Sequence, residues 1–339
     1  IQDIASGEVL TALSMPDVDP NKFMNSMTQE EVNDLYSSKR PLFNRVARGQ
    51  YPPASVMKPF MSLIALEGDF IEANSVRWSG PYFELGGHRF RDWKRQGHGH
   101  VNMAEAIAVS SDVYFYRLAH SMGIDYIHDA LAEFGFGSKS GINIEGEGEG
   151  LLPSSEWKRR VKKEPWYGGE TLTVGIGQGF LMSTPIQINN AMVALLNGGK
   201  LYKPTMVKSE DHALLNEFHI TPNHLEAVKQ GMEDVVFSKK GTGRGIRRIS
   251  EVEMAGKTGT SQVFSTMGKI DYENSEIAEH LRDHAVWSGY APMKDPKIAI
   301  TVFVENGGGG ASVAAPLAQK LANLYAKKYI HNNNNNVTP

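Results

Sequence analysis

The 339-residue chain contains no cysteine, so disulfides and thiolate metal sites are excluded. It also lacks a dominant charge. Lys and Arg number 35 against 38 Asp and Glu, a formal net charge of −3, and nothing in that balance draws in nucleic acid. No apolar run approaches the ~20 residues that span a bilayer, and no signal peptide is present. No internal repeat is visible. What is present is a globular composition, 41% hydrophobic and 22% charged, long enough for one large domain or two ordinary ones.

The two ends differ from the middle. The opening IQDIASGEVLTALSM reads as a hairpin, with apolar residues flanking the turn Ala5-Ser6-Gly7-Glu8. It starts mid-strand and without Met, so upstream sequence is expected to be missing. Residues 16–50 are polar and turn-rich. From about 56 to 235 the pattern is mostly helical: 102–123 and 184–199 carry apolar residues at three- and four-residue spacing and end at glycines. Segments 253–264, 284–293 and 297–306 then read as strands, and 312–330 as a closing helix. This order predicts an α+β domain over residues 1–330, its antiparallel sheet built from both chain ends with the helical region inserted. The tail 331–339, with five consecutive asparagines, has no core-forming capacity and is expected to be disordered.

Ser55-Val56-Met57-Lys58 has the spacing of a serine nucleophile with a lysine base, but roughly one such pattern arises by chance in a chain this long. Pro59 restricts the geometry. A proline is tolerated only in the first turn of a helix, so the helix must begin at about Ser55. The hydroxyl then lies among unpaired N–H groups, with Lys58 one turn on and able to turn back toward it. The apolar FMSLIALEG that follows predicts a buried helix, where a lysine loses hydration and can act as a base. Taken alone, Ser55 reads more readily as an N-cap. A second match, Ser155-Glu156-Trp157-Lys158, opens a run of cations (Lys158, Arg159, Arg160, Lys162, Lys163). The expectation there is a capped, solvated surface helix whose lysine stays protonated.

Two further elements bear on the choice. GKTGT (256–260) sits on the first late strand. Lys257 supplies a cation, Thr258 and Thr260 hydroxyls, and Gly259 close approach to the backbone. Ser110 and Asp112 fall at a helix junction, where a simple cap is the alternative. His88, Asp92, His98 and His100 have carboxylate and imidazole chemistry suited to Zn²⁺. Without cysteine or an obvious fourth ligand, the reading is a hydrogen-bonded loop and no metal. GIGQGF (175–180) and GGGGAS (307–312) lack the context of phosphate loops. They read as tight backbone near the site walls, and no cofactor is expected.

The ordered set Ser-x-x-Lys, Ser-x-Asn/Asp, Lys-Thr-Gly is that of penicillin-binding proteins and class A β-lactamases. With NRVARGQYPPASVMKP, FRDWKRQGHGHVN, SSDVYFY, VGIGQGF…STPIQ and GKTGTSQVF, the chain resembles the transpeptidase domain of class B penicillin-binding proteins across residues 1–330. RDWKRQGHGH and the acid at 112 look like the elongation branch. The resemblance implies a β-lactamase/DD-peptidase-like fold with a five-stranded sheet. It implies Ser55 as acylated nucleophile, Lys58 as base and Ser110 as proton relay to the leaving amine. Asp112 would orient the lysines and substrate, and Lys257 would hold the electrostatics. Thr258, Gly259 and Thr260 would line the carboxylate end of D-Ala-D-Ala, and the amides of Ser55 and Thr260 would form the oxyanion hole. Position 112 departs from the commoner amide, so its charge is tied to both lysines. Implied partners are the stem peptide, β-lactams, a membrane glycan polymerase of the SEDS type and elongation scaffold proteins. The implied location is the periplasmic face of the inner membrane, reached through an N-terminal anchor and a non-catalytic domain upstream of this chain. A serine β-lactamase or a penicillin sensor shares fold and motifs. The first would need a base for deacylation, and no Glu-x-x-Leu-Asn segment supplies it. The second would need a signalling segment.

Overall fold

The computed structural model describes residues 1–24, 26–208, 211–263 and 278–331. Its strands are β1 (Gln2–Asp3), β2 (Arg77–Ser79), β3 (Tyr82–Leu85), β4 (His88–Arg91), β5 (Gly99–Val101), β6 (Lys200–Tyr202), β7 (Leu214–Glu217), β8 (Ala255–Ser261), β9 (His284–Ala291) and β10 (Ile298–Val304). Its α-helices are α1 (Gln29–Leu35), α2 (Lys58–Glu67), α3 (Met103–Ala108), α4 (Asp112–Met122), α5 (Ile124–Glu133), α6 (Ser155–Val161), α7 (Gly168–Gly175), α8 (Pro185–Leu196), α9 (Pro222–Phe237) and α10 (Ala315–Tyr325).

The β-branched and aromatic runs at 284–291 and 298–304 pair antiparallel, and β8 joins on the far side of β9 with Lys257 opposite Ser288 and Thr260 opposite Ala285. Both chain ends contribute, as the α+β reading requires, but the main sheet has four strands among the described residues, in the order β1-β10-β9-β8. The second arm of the opening hairpin pairs with β1 only through the Gln2–Val9 bridge, with the Leu10 amide donating to the Ile1 carbonyl (2.9 Å), too little to form the expected fifth strand. The Asp3 amide donates to Glu8, whereas the Val9 amide donates to Thr205 (2.8 Å) and Leu10, Leu13 and Met15 stay exposed. Those apolar residues have no sheet face to cover. The Asn-rich tail, apart from the backbone of His331, lies outside the described residues, as does Phe264 at the end of one expected strand.

Helix α2 is the buried spine: Lys58 through Leu66 are all buried. It packs on α9, which in turn packs on β8, while α10 packs on β9 and β10. The helical pattern at 102–123 divides into α3 and α4. Ser110, in the left-handed region at φ 57°, turns the chain, and Ser111 then caps α4 by accepting from the Tyr114 amide (3.2 Å). The sheet and α2 thus hold one end of the site, and the α3–α4 break supplies the other.

Candidate active site

Ser55 lies in a 3-10 turn, Ala54–Met57, that runs straight into α2, with Pro59 in the first helical turn where its missing N–H costs little. The helical start therefore falls where Pro59 requires it. Ser55 is not a cap: its partly exposed hydroxyl makes no hydrogen bond among the described residues. The preceding Ala54 is held at φ 56°, a conformation costing roughly 1–2 kcal/mol for a residue with a Cβ. The GIGQGF loop holds it there. The Ala54 amide donates to the Gly177 carbonyl (2.7 Å), and a Cβ on Gly177 would lie 2.1 Å from the Ala54 oxygen. That loop is backbone wall, as expected. So is GGGGAS, where a Cβ on Gly310 would lie 2.2 Å from the Gly259 oxygen.

Lys58 is fully buried, and its ammonium is bonded at the α3–α4 break, with no hydrogen bond to Ser55 among the described residues. It donates to the Ser110 carbonyl (2.8 Å), the Ser110 hydroxyl (3.1 Å) and Asp112 Oδ1 (2.7 Å). All three donors are used, so in this arrangement Lys58 is the charged partner of Asp112. From their sequence positions, Lys58 is expected to turn back to the hydroxyl and Lys257 to be the fixed cation. The buried amine pushed well below the ordinary lysine value is Lys257. Burial does most of this and the Lys58 charge adds to it, with Asp112 opposing. Lys257 Nζ donates to the Thr258 carbonyl (2.9 Å).

Beyond Lys257, Gly259 packs on the Ser55 turn: its Cβ would meet Val56 at 3.3 Å and Ala54 at 3.5 Å. The outer edge of β8 is unpaired in the sheet among the described residues. The Thr260 carbonyl on that edge accepts from the Gln178 side chain (3.3 Å), so the Thr260 N–H points to the same open side. The Thr258 hydroxyl shares a hydrogen bond with Thr242 (2.7 Å), whose amide donates to the end of α3.

The RDWKRQGHGH segment buttresses the site. Asp92, buried, accepts from His98 (3.0 Å), from the Val113 amide at the start of α4 (3.0 Å) and from the Lys94 amide (3.1 Å). Burial works to raise its carboxyl, but those bonds outweigh it and hold the group below the ordinary carboxylate value. Trp93 donates its amide to Asp112 Oδ2 (3.3 Å) and its indole N–H to the Ser110 carbonyl (3.1 Å). Of the four residues weighed for a metal, only Asp92 and His98 are bonded to each other. His88 is exposed and His100 packs on Trp78. No group of three or more acidic or histidine side chains is placed to hold a metal among the described residues. Trp93, Gln178 and Thr242 were not singled out by sequence reasoning. The first two lay inside quoted motifs, but only their contacts across the chain give them work.

The rival serine is settled by its partners. Ser154 caps α6, accepting from the Trp157 amide (3.0 Å), and the Ser155 hydroxyl donates to Asp125 (2.7 Å). Lys158 is buried rather than solvated, a correction to the reading of a wholly exposed cationic run. Glu170 (2.5 Å) and Glu164 (3.6 Å) reach it from beyond the run, and the Tyr167 ring covers it. Burial works against its charge, yet the Glu170 bond and both acids hold it above the ordinary lysine value. It stays a cation.

A free hydroxyl at a helix start, a buried amine bridged to a second serine and an acid, and an open strand edge carrying a lysine form a set suited to acyl transfer through serine. Residues 1–323 match the family described as the penicillin binding protein transpeptidase domain. The chain is 39% identical over 338 residues to the peptidoglycan D,D-transpeptidase MrdA of Haemophilus influenzae, covering 96% of this chain and 52% of that protein. It is 40% identical over 342 residues to the MrdA of Salmonella typhimurium, covering 95% and 54%. Among solved structures it resembles Pseudomonas aeruginosa PBP2 in complex with WCK 5153 (TM-score 0.87, 36% identity, 97% of this chain and 73% of that one). It also resembles Helicobacter pylori PBP2 in complex with MreC (TM-score 0.87, 34% identity, 96% and 59%). The chain spans about half the length of the curated relatives it matches. With the family pattern running from residue 1 to 323 and the three motifs meeting at one end of α2, the chain belongs to the penicillin-binding protein transpeptidase domain family.

Proposed function

We propose that this domain is a serine D,D-transpeptidase of peptidoglycan, acting in side-wall elongation. The observation that carries the reading is the three-way bond of buried Lys58 to the Ser110 carbonyl, the Ser110 hydroxyl and Asp112, beside an unbonded Ser55. Ser55 Oγ attacks the penultimate D-Ala carbonyl, and its proton passes to Lys58. For Lys58 to receive it, its own proton must first leave, and the 2.7 Å bond to Asp112 is the shortest route out. This gives the acid at 112 a role that an amide could not fill. The C–N bond to the terminal D-Ala then breaks, and Ser110, bonded to Lys58, returns a proton to the departing amine. An amine of a second stem peptide attacks the ester, and Ser55 regains its proton.

The amides of Ser55 and Thr260 would hold the developing oxyanion. Thr258 and Thr260 would bind the substrate carboxylate, with Lys257 adding positive charge only when protonated. Gly259 leaves room for the peptide, which adds along the open edge of β8 as an extra strand. β-Lactams would acylate the same hydroxyl. By similarity to PBP2 solved with MreC and to a peptidoglycan synthase complex, the protein works with a scaffold protein and a membrane glycan polymerase. It would sit at the periplasmic face of the inner membrane, held by an N-terminal anchor upstream of this chain. The test is release of D-Ala from a donor peptide ending in D-Ala-D-Ala together with amide formation to an added amine. Turnover by the protein and none by Ser55→Ala supports the reading, and hydrolysis of β-lactams without transfer contradicts it.

A further inference from the structure

A second concave site lies along α4, away from Ser55. Arg77 and Trp78 of β2, Phe83 of β3, and Arg117 and His120 of α4 line a cleft of about 430 Å³. That volume lies within the range of small-ligand sites. The cleft is built from two cations with no acid between them. Arg77 makes one long hydrogen bond, to the Phe70 carbonyl (3.3 Å), and Arg117 Nε is buried with no partner. Neither guanidinium has an ion-pair partner among the described residues. An unpartnered buried guanidinium N–H is costly, and two like charges sharing a cleft repel. Both penalties vanish if an anion enters. The guanidinium fork matches a planar carboxylate better than a single-point acceptor.

The walls narrow the class of anion. Arg117 lies over the Phe83 ring (5.3 Å), Phe83 faces His120 (5.8 Å), and Trp78 is 53% exposed. These aromatic surfaces would pack against a ligand's aliphatic stem, which inorganic ions lack. We propose that this cleft binds an acidic peptide one or two residues long within the site, its carboxylates on Arg77 and Arg117 and its stems on Trp78 and Phe83. Helix α4 begins at Asp112, so Arg117 and His120 stand roughly 8–12 Å along the axis from the catalytic end. A peptide held there lies along the helix whose first residue, Asp112, pairs with Lys58 (2.7 Å). Naming that peptide as the second, amine-donating stem peptide rests on the function proposed above, whereas the cleft's choice of carboxylates does not.

The test uses protein first acylated with benzylpenicillin, so that the Ser55 site is blocked. Acetyl-Ala-Glu-Glu-amide, acetyl-Ala-Gln-Gln-amide and inorganic phosphate are titrated by calorimetry into it and into Arg117→Gln and Arg77→Gln. The expected result is one-site binding of the Glu peptide, weakened roughly tenfold or more in each variant, the scale of a lost charge-assisted hydrogen bond. The Gln peptide and phosphate should bind at least as weakly as the variants bind the Glu peptide. Binding of the Glu peptide by both variants as tightly as by the wild-type protein, no saturable binding, or binding of the Gln peptide or phosphate as tightly as the Glu peptide overturns the proposal. Formation of the penicilloyl adduct by each variant reports that it is folded. Failure of the adduct in the wild-type protein counts against the proposed function instead, and the titration is then run on unacylated protein.

Discussion

Replacing Gly177 by alanine isolates what the glycine loop does for Ser55. The new Cβ would lie 2.1 Å from the Ala54 oxygen, 2.7 Å from its carbonyl carbon and 2.8 Å from its amide nitrogen. An ordinary C···O contact is about 3.3 Å, so the Ala54 peptide or the loop must retreat by roughly 1 Å. Gly177 also sits at φ 76°, where a side chain costs about 1–2 kcal/mol. Overpacking adds about 1–3 kcal/mol, for a total of about 2–5 kcal/mol of lost stability. Because Ala54 is covalently next to the nucleophile, movement on that side displaces Ser55, and a 1 Å error at a reacting atom costs on the order of 100-fold in rate. The assay pairs urea unfolding with the second-order rate of acylation by benzylpenicillin, followed by intact mass. Gly198→Ala is the control: its φ is 85° but nothing lies within 4 Å of the added Cβ, so it carries strain without a collision. The control should lose about 1–2 kcal/mol and acylate normally. If Gly177→Ala is no less stable than Gly198→Ala and acylates at the wild-type rate, the claim that this loop sets Ser55 is wrong.

Asp92→Asn should cost about 1–3 kcal/mol at neutral pH by weakening the bonds to His98 and Val113. Because the folded carboxyl lies below its unfolded value, its contribution is complete above about pH 4 and is lost as pH falls through the folded value. The gap between wild type and variant should therefore narrow in acid, read by urea unfolding against pH. Lys257→Met should abolish acylation yet stabilise the fold by about 1–3 kcal/mol, since a buried amine is replaced by an apolar stem. Its folded amine binds a proton less readily than the unfolded one. The gain should thus be greatest at low pH and shrink as pH rises toward about 10.4, measured by unfolding in buffers across that range. Ser155→Ala should leave the acylation rate unchanged, because that hydroxyl is spent on Asp125 (2.7 Å) in a helix start.

Much of this arrangement was legible in the residues because a few of them permit only one geometry. Pro59 fixed where the helix begins, and the apolar, β-branched and aromatic residues near 286 and 300 favoured paired strands. The ordered motifs then named the residues that the fold brings together. What the sequence concealed depends on partners distant along the chain. Ser110 and Asp112 mark a junction in the sequence, but what holds it does not show there: Asp92, about twenty residues earlier, accepts from the Val113 amide. Leu10 and Leu13 look like strand residues, but regular pairing with β1 stops at the Gln2–Val9 bridge and both stay exposed. Lys158 looks solvated until Glu170 is folded back upon it. The division of labour between the lysines is the same kind of fact. Asp112 takes Lys58 as its ion-pair partner and leaves Lys257 buried beside another cation, and neither relation is a property of local sequence.

The central claim is that Ser55 is the acylated nucleophile. The direct measurement is intact mass followed by tryptic mapping after reaction with benzylpenicillin. The Lys58–Pro59 bond resists trypsin, so Ser55 falls in the single peptide 49–77. The expected result is a lasting one-equivalent adduct on that peptide, absent in Ser55→Ala. An adduct on another peptide, or one that survives in Ser55→Ala, would contradict it.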